Sequence, residues 1–164
     1  PLQPQEMRAA VYHGPFQGML GTANENAEWR EVFGPKHKRA KDQELILRFL
    51  ALKFDGENYF RPMKGFLNNF MAAHRRMSAH DLYAYQVCFE ETIKRSHEAL
   101  GKQAFRLSRS MNVAFFDALM VAISNVPNAS AEAIKIASEQ LSKDKDFIQL
   151  TSELPLLFLN VRGR

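Results

Sequence analysis

These 164 residues predict an all-α protein, and three features carry that expectation. Apolar residues recur at helical spacing along most of the chain. The period-two alternation of a half-buried strand is nearly absent. Pro, Gly, Asn and Ser stand where helices need starts and stops. The expected architecture is a compact bundle of roughly six to eight helices around one core.

Taken in order, Pro4 suits the first turn of a helix, QEMRAAVY continues it, and Gly14-Pro15 stops it. Phe16 to Ala23 and Ala27 to Phe33 make two short helices divided by Asn24-Glu25-Asn26, the second closed by Gly34-Pro35. Helices this short need tertiary packing to persist. Asp42 to Phe54 is a longer helix ended by Asp55-Gly56. Residues 62 to 75 set Met63, Phe66, Leu67, Phe70 and Met71 on one face.

Ser78 with Asp81 resembles a capping box and opens a long helix whose stripe is Leu82, Tyr85, Phe89, Ile93 and Leu100. Gly101 closes it as a left-handed cap. Met111 to Ser124 is apolar nearly all round, interrupted chiefly by Asp117, which predicts a central helix ended by Asn125 to Asn128. Ser130 caps Ala131 to Ser142, where Ala133, Ile134, Ala137 and Leu141 form the narrow stripe of an outer helix. Residues 1–150 therefore read as one helical domain, and 151–164 as an irregular apolar tail broken by Pro155.

An apolar share of 46% with 24% charged residues lies far from the composition of disordered chains, so a packed core is expected. The single cysteine, Cys88, cannot pair within the chain, which suits a reducing cytoplasm. No apolar run reaches the roughly 18 to 20 residues of a membrane span. A net charge of +4, from 22 basic and 18 acidic residues, permits an anionic partner without requiring one. The opening PLQPQEM enters a helical pattern directly, with no targeting signal, as expected of a chain cut from a longer α/β plus α protein.

The search for chemistry returns no phosphate-cradling Gly-rich loop, His-Glu-x-x-His, calcium loop or nucleophile elbow. The five histidines, His13, His37, His74, His80 and His97, fall on separate elements, and paired carboxylates such as Glu90-Glu91 belong on solvated faces. No catalytic set, cofactor or metal site is legible. Lys36, His37, Lys38 and Arg39, with Lys41, precede a helix N-terminus, where the helix dipole disfavours positive charge. Such a loop is solvated, paired within the molecule, docked on carboxylates of an adjoining domain, or set against DNA by nonspecific phosphate contact. The runs His74-Arg75-Arg76 and Arg106 with Arg109 are weaker versions of the same signal.

Arg48 stands inside the apolar run LILRFLAL. At 100° per residue it shares a thin polar strip with Lys41, Glu44 and Asp55, so it is either solvated, ion-paired inside the fold, or turned toward another domain. If covered, it needs a carboxylate at hand, and Glu44 at i−4 is one. Asp117 needs a partner for the same reason, and Arg106 and Arg109 are the nearest in sequence.

Five stretches in order, LQPQEMR (2–8), YHGPF (12–16), KRAKDQELILRFLAL (38–52), MKGFLNNFM (63–71) and MNVAFFDALMVAI (111–123), resemble the helical second half of the GmrSD-type family. These are bacterial proteins with a ParB-like or sulfiredoxin-like N-terminal region, many linked to DNA restriction and phage defence. The resemblance runs to about Phe147 and departs after residue 150; Leu2-Gln3 stands where relatives have Leu-Asn. The Asp-Gly-Gln-Gln-Arg motif that the family associates with nucleotide binding or hydrolysis is not in this chain, and neither is the C-terminal His-Asn-His nuclease domain of many relatives.

The resemblance thus implies a noncatalytic helical region supporting an N-terminal ParB-like nuclease half, with Arg39, Asp42, Glu44 and Arg48 as a polar seam, internal or toward that half. The alternative is a self-sufficient helical interaction module without a nucleic-acid role. An active site assembled across two chains is a third, weaker reading.

Overall fold

The computed structural model describes residues 1–151, and its helices follow the punctuation of the chain. They are α1 (Pro4–Val11), α2 (Pro15–Ala23), α3 (Ala27–Phe33), α4 (Lys41–Asp55), α5 (Met63–His74), α6 (Ala79–Leu100), α7 (Val113–Asn125) and α8 (Ala131–Lys143), with single 3-10 turns at Gly56–Asn58 and Gly101–Gln103. Residues 145–151 are helical as well, opened by Asp144, whose Oδ1 accepts from the Phe147 N–H at 2.7 Å. Among the described residues there is no named strand, only an isolated bridge between Arg106 and Met111. The chain is an all-α bundle. No helix among the described residues is long and apolar enough to cross a membrane. Most of the tail expected at 151–164, including its Pro155, lies outside the described residues.

Local chemistry explains the ends. Asn26, Ser78, Asn112 and Ser130 each accept a backbone N–H of the first turn that follows, at 2.9 to 3.1 Å. The pairing of Ser78 with Asp81 is not the reciprocal box the spacing suggests. The Asp81 carboxylate takes the Ser78 hydroxyl at 2.7 Å instead of the Ser78 backbone N–H. Gly101 adopts the positive φ of +68° expected of a terminating glycine, but with ψ −162° it lies outside the left-handed helical region, and a 3-10 turn follows at once.

The core sits where α2, α3, α4, α5, α6 and α7 converge. Trp29, Phe16, Phe49, Phe66, Phe70, Phe89, Phe105 and Phe116 are its largest fully buried side chains. Trp29 packs against Phe33, Phe89 and Phe116 with ring centroids 5.2, 5.8 and 5.7 Å away. Helix α4 is the most enclosed, and α6 and α7 pack against it, α7 as the inner helix its composition predicted. Helix α4 buries seven residues and touches α1, α2, α5, α6 and α7; α6 touches α2, α3, α4, α7 and α8. Helix α7 packs on α4, α6 and α8 through Phe115, Phe116, Leu119, Met120 and Ile123, and exposes Val113 and Ala122. Helix α8 is the outer helix expected, but rotated: Ile134 and Ser138 face inward with Leu141 partly covered, while Ala133 and Ala137 lie exposed. Two methyl groups contribute too little apolar area to fix a helix's rotation against the pull of an isoleucine.

Two connections are fixed by single residues. Arg95 of α6 donates to the carbonyls of Ile123, Val126 and Ala129 at 2.8, 2.8 and 3.1 Å, tying the end of α7 to the approach to α8. Gly14 lies against α5's end, where an added Cβ would meet the Arg75 backbone oxygen at 2.6 Å. Gly14→Ala is therefore expected to destabilise the protein by about 1–3 kcal/mol, because a backbone carbonyl must move to admit the methyl. Thermal unfolding of the variant checks it, and an unchanged midpoint would mean the α1–α2 corner yields freely.

Candidate functional site: the polar seam of α4

Three charged groups that the sequence distributes along α4 are held by partners on other elements. Arg8 of α1, 3% exposed, donates through Nη1 to Glu44 Oε2 at 2.8 Å and to Gln5 Oε1 at 3.0 Å, and through Nε to Asn68 Oδ1 of α5 at 2.9 Å. Asp42 accepts on Oδ2 from Asn24 Nδ2 and Arg30 Nη1, both at 3.0 Å, and from the His37 backbone N–H at 3.2 Å. Asn24 Oδ1 in turn accepts from Trp29 Nε1 at 3.0 Å and Arg30 Nη2 at 3.1 Å. Arg48 donates to Asp117 of α7 through Nε, at 3.2 Å to each oxygen, and through Nη2 to Oδ2.

Glu44 and Arg48, the expected i, i+4 pair, are thus each engaged elsewhere. Asp117 is held by Arg48 and not by Arg106 or Arg109. The Arg106 Nη1 donates to the carbonyls of Val32, Lys102 and Ala104 instead. Nor do Asp42, Glu44 and Arg48 make one seam. Two residues of helix turn Asp42 through about 200° from Glu44, so it faces α2 and α3 while Glu44 and Arg48 face α1 and α7.

The two buried aspartates are tuned in opposite directions. Burial raises Asp42, but the hydrogen bonds from Asn24 and the His37 N–H and the Arg30 charge outweigh it, so its pKa lies below the ordinary value. Burial also raises Asp117, and there the Arg48 bonds and charge do not fully offset it, while the Glu44 charge adds to the rise. Asp42 therefore contributes stability that is present above its unfolded value and lost as pH falls through its folded value. Asp42→Asn is expected to remove that acid-sensitive contribution. The stability gap to wild type should be widest near neutral pH and should close on acidification, as read by urea unfolding across the pH range. A gap independent of pH would show the carboxylate charge to be idle.

The basic loop is not presented as a unit. Lys36 pairs with Glu25 on the surface. The His37 ring packs edge-on to Phe33 with centroids 6.5 Å apart, and its Nδ1 accepts the Arg39 N–H at 3.1 Å. Lys38 is exposed. Arg39 donates to the Pro1 carbonyl at 2.8 Å and, with Lys41, lines a cleft of about 440 Å³ between α1, α4 and the start of α7. Gln5, Glu44 and Arg48 line the same cleft, and Phe33, Leu45, Met111 and Val113 supply its apolar wall. Of the sequence-predicted residues, Arg39, Lys41, Glu44 and Arg48 come together here; Lys36, His37, Lys38 and Asp42 do not line it.

Sequence reasoning missed Gln5, Arg8, Asn24, Arg30 and Asn68. The i, i+3 spacing of Gln5 and Arg8 placed both on one face of α1, but a polar face reads as solvated unless the packing is known. Among the described residues no cluster of three or more His, Cys, Asp or Glu could hold a metal ion. The seam's carboxylates are each occupied by a guanidinium, an arrangement suited to holding elements together. Comparison with models of protein families, with curated proteins and with solved structures finds no match to this chain.

Proposed function

We propose that this chain is a noncatalytic helical region of a GmrSD-like DNA-restriction or phage-defence protein of the bacterial cytoplasm, supporting a ParB-like, nucleotide-dependent nuclease half. The observation that carries the reading is the outer face of α1. Leu2, Met7 and Val11 are 64%, 38% and 61% exposed. Pro4, Met7 and Val11 stand at i, i+3 and i+7 and line one shallow groove with Lys64 and Asn68. A short helix that buries Gln5 and Arg8 while exposing its larger apolar side chains is arranged for a second surface. The order of the five family-like stretches points to the same side of the molecule, because the first of them contains most of α1.

The coding sequence upstream of Pro1 tests this directly: an in-frame segment with an Asp-Gly-Gln-Gln-Arg motif is expected, and a different upstream domain overturns the reading. The auxiliary DNA contact has its own test in duplex binding across a salt series. Changing Lys36, Lys38 and Arg39 to Ala should weaken affinity and flatten the log–log salt slope by about 0.9 for each phosphate no longer neutralised. Unchanged affinity removes the basic loop from the proposal.

A further inference from the structure

We infer that the cleft between α1, α4 and the start of α7 binds a small molecule carrying a dianionic phosphate monoester on an apolar or aromatic body. The inference stands independently of the docking reading, which concerns the face of α1 that carries Met7 and Val11. Its first ground is charge. Within the cleft, Glu44 is neutralised by Arg8, and Arg48 by Asp117. What remains is the pair Arg39 and Lys41, two positive charges with no carboxylate bound to either among the described residues. A phosphate monoester carries about −1.5 to −2 at neutral pH, whereas a carboxylate or a nucleic-acid phosphodiester carries one charge and leaves a cation over.

The second ground is an orphan donor. Gln5 lines the cleft and is 1% exposed, and its Oε1 is taken by Arg8, which fixes the amide's orientation. Its Nε2 is buried with no hydrogen-bond partner. A buried N–H without an acceptor is destabilising, so a site that supplies an acceptor there is favoured. The third ground is the cleft's apolar face. The wall of Phe33, Leu45, Met111 and Val113 accounts for the apolar body, and a volume of about 440 Å³ is that of a small-molecule site.

The experiment is a titration of the intact chain with phenyl phosphate, followed by amide resonances, with benzoate, phenol and a DNA duplex as parallel arms. Phenyl phosphate is expected to shift the Gln5 side-chain NH₂ and the Lys41 backbone amide saturably, more tightly than benzoate, with no response to phenol. Arg39→Ala with Lys41→Ala, both at exposed positions that leave the core intact, should weaken binding by about tenfold or more. Gln5→Met should weaken it without altering the preference for two charges. A saturable response that ignores the Arg39 and Lys41 changes overturns the inference, as does benzoate binding as tightly as phenyl phosphate. No saturable response to phenyl phosphate, or a response to duplex alone, does the same.

Discussion

Arg48→Met is expected to destabilise the protein by about 2–4 kcal/mol near neutral pH, below the full range for breaking a buried pair because water still reaches its edge. The side chains of Arg48 and Asp117 retain 17% and 13% exposure. Methionine fills the space of the Arg48 stem but leaves Asp117 without its cation. The carboxylate is already pushed up by burial, and losing Arg48 raises it further. A carboxylate raised in the folded state holds its proton to higher pH than in the unfolded chain, so stability falls as pH rises from the unfolded value of 3.8. The penalty of Arg48→Met should accordingly grow from acid to neutral pH. Adding Asp117→Leu should recover most of it, since apolar replacement of both partners is often neutral or better. Urea unfolding of the two single variants and the double variant at acidic and neutral pH measures all of this. A penalty independent of pH would place the cost in weakened packing and not in the stranded charge.

Trp29→Ala should cost about 3–5 kcal/mol, the range for deleting a fully buried large aromatic. Trp29 is 0% exposed and touches rings from α3, α6 and α7. Its Nε1 also donates to Asn24 Oδ1, so the indole braces the Asn24, Asp42 and Arg30 network at the start of α4. Trp29→Phe separates the two contributions. It keeps most of the apolar area and loses the donor, and it should cost only about 1–2 kcal/mol. Denaturant midpoints of both variants decide it; equal losses would show that the ring's hydrogen bond, and not its volume, holds the core.

Most helix boundaries were legible because they rest on local chemistry. Pro4, Gly14-Pro15, Asn26, Gly34-Pro35, Ser78 and Ser130 act within a turn of themselves, and the helices of the structure start or stop beside each. The rotation of α8 was not legible, because small alanines compete with Ser138 for the inward position and only the facing α6 decides. Asp144 was a missed signal of the local kind: an aspartate three residues before Phe147 is an N-cap, and a helix follows. The site was harder. Arg8 lies 36 residues from Glu44, and Arg48 lies 69 from Asp117. Periodicity located the polar strip on α4, but nothing in spacing says which distant charge completes it. Nearest-in-sequence candidates failed at both positions for that reason.

The Arg95 clasp bears on which positions of the chain are free to vary. Because the guanidinium grips only main-chain oxygens of residues 123, 126 and 129, the side chains between α7 and α8 contribute nothing to that hold. Linker substitutions that preserve its path and spare the Ser130 cap should leave that hold intact, while the constraint on its shape is recorded some thirty positions earlier, at one arginine.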